Sequence, residues 1–401
     1  MTSKLTMIAI NRTLIILLII VISLCHAFSQ NTEEKKPKNY LIKGYIKDLP
    51  SLSFDADFKN FQLDNLVHNR INAKWYPTKT LTGALEIRNR FYYDHKLSDF
   101  PGYDQFLEAD DGIVKLTKNI FSDGNVLLNA SIDRLWVDWS KRDWQIRVGR
   151  QRINWGTNLV YNPNDLFNTY SFIDFDYEER PGSDAIRVQY YTGFASQVEL
   201  VAKMDNYQNT VIAGYYKFNK WNYDFQLLGG KYYDKAAFGF GWAGDIKGAG
   251  FRGEITNFYN EDNCNTVVAG ISSDYTFKNG LYIHHEFLFN SNGAQKELSF
   301  GSGSLGGFFT SSITADKLSP SMFNFYLGSG YSITPLIRLS LGGLYMPINN
   351  GVLFGMPSAS ISIKENWDLM LLSQIFKFEG SDMIPGFGQL FFTRIKWSFA
   401  N

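Results

Sequence analysis

Val67-His68-Asn69-Arg70-Ile71-Asn72-Ala73-Lys74-Trp75 is followed, after a break at Pro77-Thr78-Lys79, by Leu81-Thr82-Gly83-Ala84-Leu85-Glu86-Ile87-Arg88-Asn89-Arg90-Phe91. In the first segment Val67, Ile71, Ala73 and Trp75 alternate with His68, Arg70, Asn72 and Lys74. In the second, Leu81, Leu85 and Ile87 alternate with Thr82, Glu86, Arg88 and Arg90. A period of two places each set on one face of an extended strand. Proline fixes its own φ and cannot extend a ladder, so the break is a tight turn and the pair a β-hairpin. A soluble β-sandwich or propeller keeps its outward faces polar. Here arginines and glutamates stand opposite a fully apolar set, which suits strands with lipid on one side and a wet lumen on the other.

The unit recurs along the chain. Trp144, Ile146 and Val148 alternate with Gln145, Arg147 and Gly149, and Trp221, Tyr223, Phe225 and Leu227 with Asn222, Asp224 and Gln226. Phe251 and Ile255 oppose Arg252 and Glu254; Leu281, Ile283, Phe287 and Phe289 oppose Tyr282, His284 and Glu286. Residues 126–139 change phase near Arg134, which predicts a bulge there. Short links at 77–79, 140–143, 192–194, 219–220, 246–248, 278–280, 333–335 and 364–366 alternate with connections that are often long, notably 93–124, 154–183 and 291–321. Short turns on one side and long loops on the other is the plan of outer-membrane barrels, the short side being periplasmic. Trp139, Trp144, Phe218, Trp221, Tyr275, Phe277 and Tyr282 crowd the short turns and read as an aromatic girdle at the membrane boundary. With a first strand near 40–47 and a last at 390–399, the fold class is all-β: a transmembrane, antiparallel, up-and-down β-barrel of about 16–18 strands. The last strand sets Phe391, Ile395, Trp397 and Phe399 on one face and resembles the carboxy-terminal signal read by the barrel-assembly machinery.

The amino terminus sets the compartment. Lys4 and Arg12 precede an apolar run from Leu14 to Ile22, and Ala27 and Ser29 sit where small residues precede a cleavage site. That is the layout of a signal peptide over 1–29, with Gln30 first in the mature chain; a lipoprotein anchored at Cys25 is the rival reading. The domain plan is then a signal peptide (1–29), a periplasmic tail (30–39) and an outer-membrane barrel (40–401). The 39 basic and 39 acidic residues give no basic excess, which argues against nucleic acid as a partner. Only Cys264 survives cleavage, so no disulfide staples the exported chain. Aromatics at 16%, with 34 Gly but only 11 Pro, fit a membrane barrel, and no later apolar run is long enough for a transmembrane helix.

A lumen of this size is too wide for wall side chains to fill, so water or an inserted loop occupies it. The inward parity of the first half of the wall is cationic: Arg70, Lys74, Arg88, Arg90, Arg147 and Arg187. Such a set either focuses a field that favours anions, or pairs with Glu86, Glu199, Asp224 and Glu254 and only keeps the lumen hydrated. The connection 154–183 reads Asn154-Trp155-Gly156, Asn162-Pro163-Asn164-Asp165, then Asp174, Asp176, Glu178 and Glu179, closing with Arg180-Pro181-Gly182. An acidic loop beside an arginine-rich wall builds a constriction if it folds inward, and a solvated surface loop if it does not. Asp165, Asp174, Asp176, Glu178, Glu179 and Arg180 are its candidate residues. Asp174, Asp176 and Glu178 also share a face in an extended chain and could hold Ca²⁺, although no rigid turn supports that. Arg150 and Arg152 fall on the outward parity. Either a bulge near Gly149 turns them inward, or they sit at the rim and snorkel to headgroups.

Arg147-Val148-Gly149-Arg150-Gln151, Trp155-Gly156, Asn162-Pro163, Asp165, Arg180-Pro181 and Asp184-Ala185-Ile186-Arg187 together resemble the alginate-export-type family and related porin-like outer-membrane proteins. The resemblance implies a wide monomeric barrel with an arginine-lined channel. In it Arg147, Arg150, Arg187 and Asp165 would be wall or constriction residues.

The reading that results is a channel without enzymatic activity or cofactor, for small polar or anionic solutes or an exported polysaccharide. Its partners would be outer-membrane lipid, lipopolysaccharide and the assembly machinery. One alternative is a non-conducting surface or assembly barrel that works through its loops. Another is a lipid-modifying hydrolase, for which His284 and His285 lack a serine placed beside them on one outer face.

Overall fold

The computed structural model describes residues 39–54, 61–94, 102–170, 175–176, 178–260, 265–295, 313–348, 350–378 and 386–401. The expected signal peptide, nearly all of the expected tail, and Asp174 lie outside them.

In chain order the strands are β1 (Tyr40–Phe54), β2 (Phe61–Trp75), β3 (Leu81–Tyr93), β4 (Thr117–Asp123), β5 (Val126–Lys141), β6 (Trp144–Gln151) and β7 (Ser183–Gly193). There follow β8 (Ser196–Met204), β9 (Thr210–Lys220), β10 (Tyr223–Tyr232), β11 (Lys235–Ile246), β12 (Ala249–Tyr259) and β13 (Thr266–Thr276). The chain ends with β14 (Tyr282–Asn290), β15 (Phe323–Thr334), β16 (Ile337–Met346), β17 (Val352–Lys364), β18 (Trp367–Phe378) and β19 (Gly386–Ala400). One short helix, α1 (Tyr103–Leu107), lies between β3 and β4.

Every pairing in the sheet is antiparallel, and β1 pairs with both β2 and β19, so the sheet closes. β4 pairs only with β5, while β3 pairs with β5 along its whole length. The closed barrel therefore has 18 strands, with β4 an extension beside β5. Closure removes the edges of the 18 barrel strands, and that is the condition for a sheet to cross lipid.

The alternating pattern maps onto the two faces. Ile186, Leu200, Ile212, Leu227, Phe238 and Leu341 point outward and are exposed, while His68, Arg70, Gln189, Glu199 and Glu254 on inward parity are buried. The short links fall where the sequence sets them except that read at 219–220, whose residues still belong to β9. At β9–β10 the turn is Trp221-Asn222, with φ 56° and 61°; positive φ at both central residues gives a two-residue turn whose twist matches its strands.

The phase change near Arg134 is a bulge. Glu86 pairs with Arg134 and Ile87 with Ile132, so Asp133 is the extra residue. Both Asp133 and Arg134 are buried as a result. Strands at the ends of the chain run longer than the sequence pattern implied, because their upper turns lose the strict alternation while keeping the ladder.

Candidate channel constriction

The connection between β6 and β7 does not stay at the rim; it folds into the lumen. Its base is closed by Asn168, whose Oδ1 accepts from the Ile153 amide at 2.7 Å and whose Nδ2 donates to the Pro181 carbonyl at 3.0 Å. Below that clasp Ile153, Trp155, Val160, Tyr161, Leu166 and Phe167 are buried against Val201, Val211, Ala213, Leu228, Phe258 and Leu288 of the wall. Trp155 stacks on Tyr215 with ring centroids 5.1 Å apart, and its indole N–H donates to Glu199 Oε1 at 2.8 Å. Each apolar side chain removed from water this way contributes about 1.5–3 kcal/mol. Small and branched inward residues of β7 to β10 thus join the loop in one packed apolar cluster.

At the tip the loop meets the β12–β14 wall through its backbone. The Glu254 carboxylate accepts from the amides of Thr157, Asn158 (3.0 Å) and Asn164 (2.9 Å), and from Thr157 Oγ1 at 2.9 Å. Glu286 accepts from the amides of Val160 at 3.1 Å and Tyr161 at 2.6 Å.

The return arm crosses to the opposite wall, made of β1, β2 and β19, where an acid ladder faces a basic one. Lys47 Nζ donates to Asp176 Oδ1 at 2.8 Å, and His68 Nδ1 lies 3.1 Å from Asp176 Oδ2. Glu178 accepts from Arg394 at 2.8 Å and Lys396 at 3.0 Å; Glu179 accepts from the Tyr45 hydroxyl at 2.8 Å and lies 3.6 Å from Arg70. Phe175 packs edge-on against Phe392 at 4.8 Å. Burial alone would raise the Glu178 carboxyl, yet Lys47, Lys396 and Arg394 hold it below its ordinary value.

The wall arginines are largely neutralised. Arg70 is fully buried and bonds both Asp133 and Glu86; Arg88 lies 3.2 Å from the same Asp133. Arg147 bonds Asp138 at 2.9 Å and covers the Trp136 ring at 4.1 Å; Arg187 bonds Glu199 at 2.8 Å; Arg90 donates to Asn129. Of the counter-charges read from the sequence, Glu86 and Glu199 serve this way, Asp224 pairs with Lys217, and Glu254 holds the loop.

Arg150 leaves its outward parity at Gly149 and is turned inward, the first of the two routes read from the sequence, although the β5–β6 ladder shows no register shift there. Gly149 has φ 116°, and Arg150 is buried at the end of β6, gripping Asp184 at 2.7 Å and Asp110 at 2.8 Å. It ties residues 110–114 of the β3–β4 connection to the rim. The Asp110 carboxyl is held below its ordinary value: burial opposes this, but Arg150 and the amides of Gly112 and Leu116 prevail.

Asp165 is 2% exposed inside the folded loop. Arg180 stacks over Tyr170 at 3.3 Å, and burial together with nearby Arg152 lowers its guanidinium from the ordinary value. Neither Arg152 nor Arg180 forms an ion pair among the described residues. Asp176 and Glu178 face cations, and no cluster of metal-ligating side chains occurs among the described residues. His284 points inward, 3.4 Å from Glu286, and His285 outward beside Ser273, so the two histidines do not converge.

Sequence reasoning missed Lys47, Asp133, Asp138, Glu286, Arg394 and Lys396 as site residues. Lys47, Arg394 and Lys396 share the inward parity of the two strands that close the barrel, a signal that pairing first and last strands would have exposed. Asp133 was hidden by the bulge.

A closed 18-strand barrel narrowed by an inward loop is a porin-like architecture. Among solved structures the chain is similar to Acinetobacter baumannii OccAB4, with a TM-score of 0.57 and 8% identity over 92% of this chain and 100% of that one. It is similar to Pseudomonas aeruginosa OccK8 (OprE) at TM-score 0.57 and 9% identity, over 90% and 98%. Pseudomonas putida OprB follows at 0.51 and 9%, over 90% and 94%. At these identities the likeness is one of fold. No protein-family model and no curated protein matches the chain. The resemblance of residues 147–187 to the alginate-export-type family gains no support from the comparisons.

Proposed function

We propose that this barrel is a porin-like channel of the outer membrane through which small polar solutes pass down their gradients, anions being favoured. The observation that carries the reading is the return arm: its Asp176, Glu178 and Glu179 lie against Lys47, Arg70, Arg394 and Lys396 inside a closed barrel. Opposed charge rows across a narrowed lumen set up a transverse field that orders dipolar solutes and rejects apolar ones. Support for anion preference comes from Arg152 and Arg180 of the same loop, which form no ion pair among the described residues although both act on the buried Asp165 carboxyl. The exposed apolar outer face supports residence in lipid, and the signal-peptide layout read from residues 1–29 supports the outer membrane as the compartment, with lipopolysaccharide and the assembly machinery as the expected partners.

The test is conductance of the refolded mature chain in planar bilayers, with reversal potentials under a salt gradient. Stable steps with anion preference, reduced in Arg152→Glu/Arg180→Glu, support the channel. A folded barrel that conducts nothing overturns it and moves attention to the extracellular loops.

A further inference from the structure

We propose that Glu254 and Glu286 are positioning residues that latch the tip of the 152–182 loop inside the barrel and so set the width of the passage. Its consequence for conductance rests on the channel reading above; the latch itself does not.

Five backbone amides of one short segment, those of Thr157, Asn158, Val160, Tyr161 and Asn164, converge on these two carboxylates. Successive N–H groups aimed at one point form an anion-binding nest, and here the anion is supplied by the wall. Glu254 is 1% exposed and has no ion-pair partner among the described residues, so the loop's N–H dipoles are what compensate its charge.

The wall is also shaped for the tip. A Cβ at Gly239 would fall 2.7 Å from Asn164 Oδ1, and one at Gly270 would fall 2.8 Å from Asn158 Nδ2. Asn158 Oδ1 accepts from Ser272 Oγ at 2.8 Å, and Thr256 Oγ1 donates to Asn164 Oδ1 at 2.7 Å. This gives the Asn162-Pro163-Asn164 motif a role. The apolar contacts of Trp155 and Phe167 fix the base of the loop, while at its far end Val160 and Tyr161 pack in the apolar cluster beside these polar bonds. A glutamine in place of Glu254 keeps the shape but offers one neutral acceptor and turns an N–H₂ donor toward amide donors, which leaves buried N–H groups unpaired.

The experiment places Val160→Cys in a Cys264→Ser background, with and without Glu254→Gln/Glu286→Gln, in the full mature chain refolded in detergent and checked by heat-modifiable migration. Val160 is 8% exposed, so its thiol should react slowly with a charged maleimide in the parent. In the double glutamine variant labelling should accelerate by about tenfold or more, with larger and noisier conductance steps. Should the double variant not fold, Glu286→Gln alone is read the same way, and Glu→Asp at the same position should restore protection. Unchanged labelling with unchanged steps overturns the proposal. Faster labelling in a barrel that never conducts upholds the latch and removes the channel reading alone.

Discussion

Lys47 Nζ donates to Asp176 Oδ1 at 2.8 Å from a side chain with no solvent exposure, joining the first strand of the barrel to a loop 129 residues further along the chain. A buried ammonium costs several kcal/mol unless paired, so the two groups hold each other in place. Burial alone would raise the Asp176 carboxyl; the hydrogen bond from His68 and the charge of Lys47 outweigh it and hold the group at about 2. Its folded pKa thus lies below the unfolded one. The stabilisation, on the order of 2 kcal/mol, is present above pH ~4 and is lost as pH falls toward 2. Asp176→Asn should therefore speed amide exchange of residues 175–182 at pH 7 by roughly ten- to a hundredfold, while β1 stays protected. Exchange unchanged from the parent would show that the arm does not depend on this pair.

Glu178 caps two cations, Arg394 and Lys396, and is the most exposed carboxylate of the arm among the described residues. Removing its charge leaves both facing the lumen. In Glu178→Gln the reversal potential should move toward anions, with the permeability ratio changing by about twofold at low salt and less at high salt. A shift toward cations would mean that the arm has swung away and exposed other carboxylates. No shift would place the arm off the ion path.

How much of this was legible beforehand follows from the period of two. Strand parity alone told Arg70 and Arg88 from Ile71 and Ile87, and turn chemistry located seven of the eight short links, that at 219–220 falling two residues early. Parity failed where the backbone breaks it: at Asp133, the extra residue of the bulge, and at Arg150, next to a glycine with positive φ. Parity also says which side chains face inward but not what they meet. Glu254 read as a counter-charge for wall arginines, yet its partners are loop amides, and a backbone N–H has no signature in a sequence. The loop's acidity was visible; its burial followed from Trp155, Leu166 and Phe167, which the acidic residues overshadowed.

Gly149 is a position where only glycine serves. Its φ of 116° is closed to other residues, and a Cβ there would fall on the Leu135 carbonyl across the β5–β6 ladder. Gly149→Ala should cost about 2 kcal/mol or more through backbone strain and displaced pairing. Because Arg150 follows directly, the Arg150–Asp184–Asp110 tie should loosen with it. The expected result is a lower temperature for the heat-modifiable gel shift and faster proteolysis at residues 110–116. Parent-like values for both would show that the kink is not required.

Asp165 reports on the loop from inside. It is 2% exposed, its Oδ1 has no hydrogen-bond partner among the described residues, and burial raises its carboxyl to about 6 against the opposing pull of the Asn168 amide, Arg152, Arg180 and Lys203. In an unfolded loop the acid would ionise near its ordinary value, while the folded loop keeps the proton until about pH 6. Folding of the loop therefore weakens as pH rises from ~4 to 6 and stays weakened above, by on the order of 3 kcal/mol. Asp165→Asn removes the charge without changing the shape. At pH 7 it should slow amide exchange of residues 157–168, corrected for intrinsic rates, whereas at pH 4, where the parent is already protonated, variant and parent should match. An equal effect at both pH values would assign the change to packing, and faster exchange at pH 7 would mean that the carboxylate is held by its cationic neighbours more firmly than it is penalised by burial.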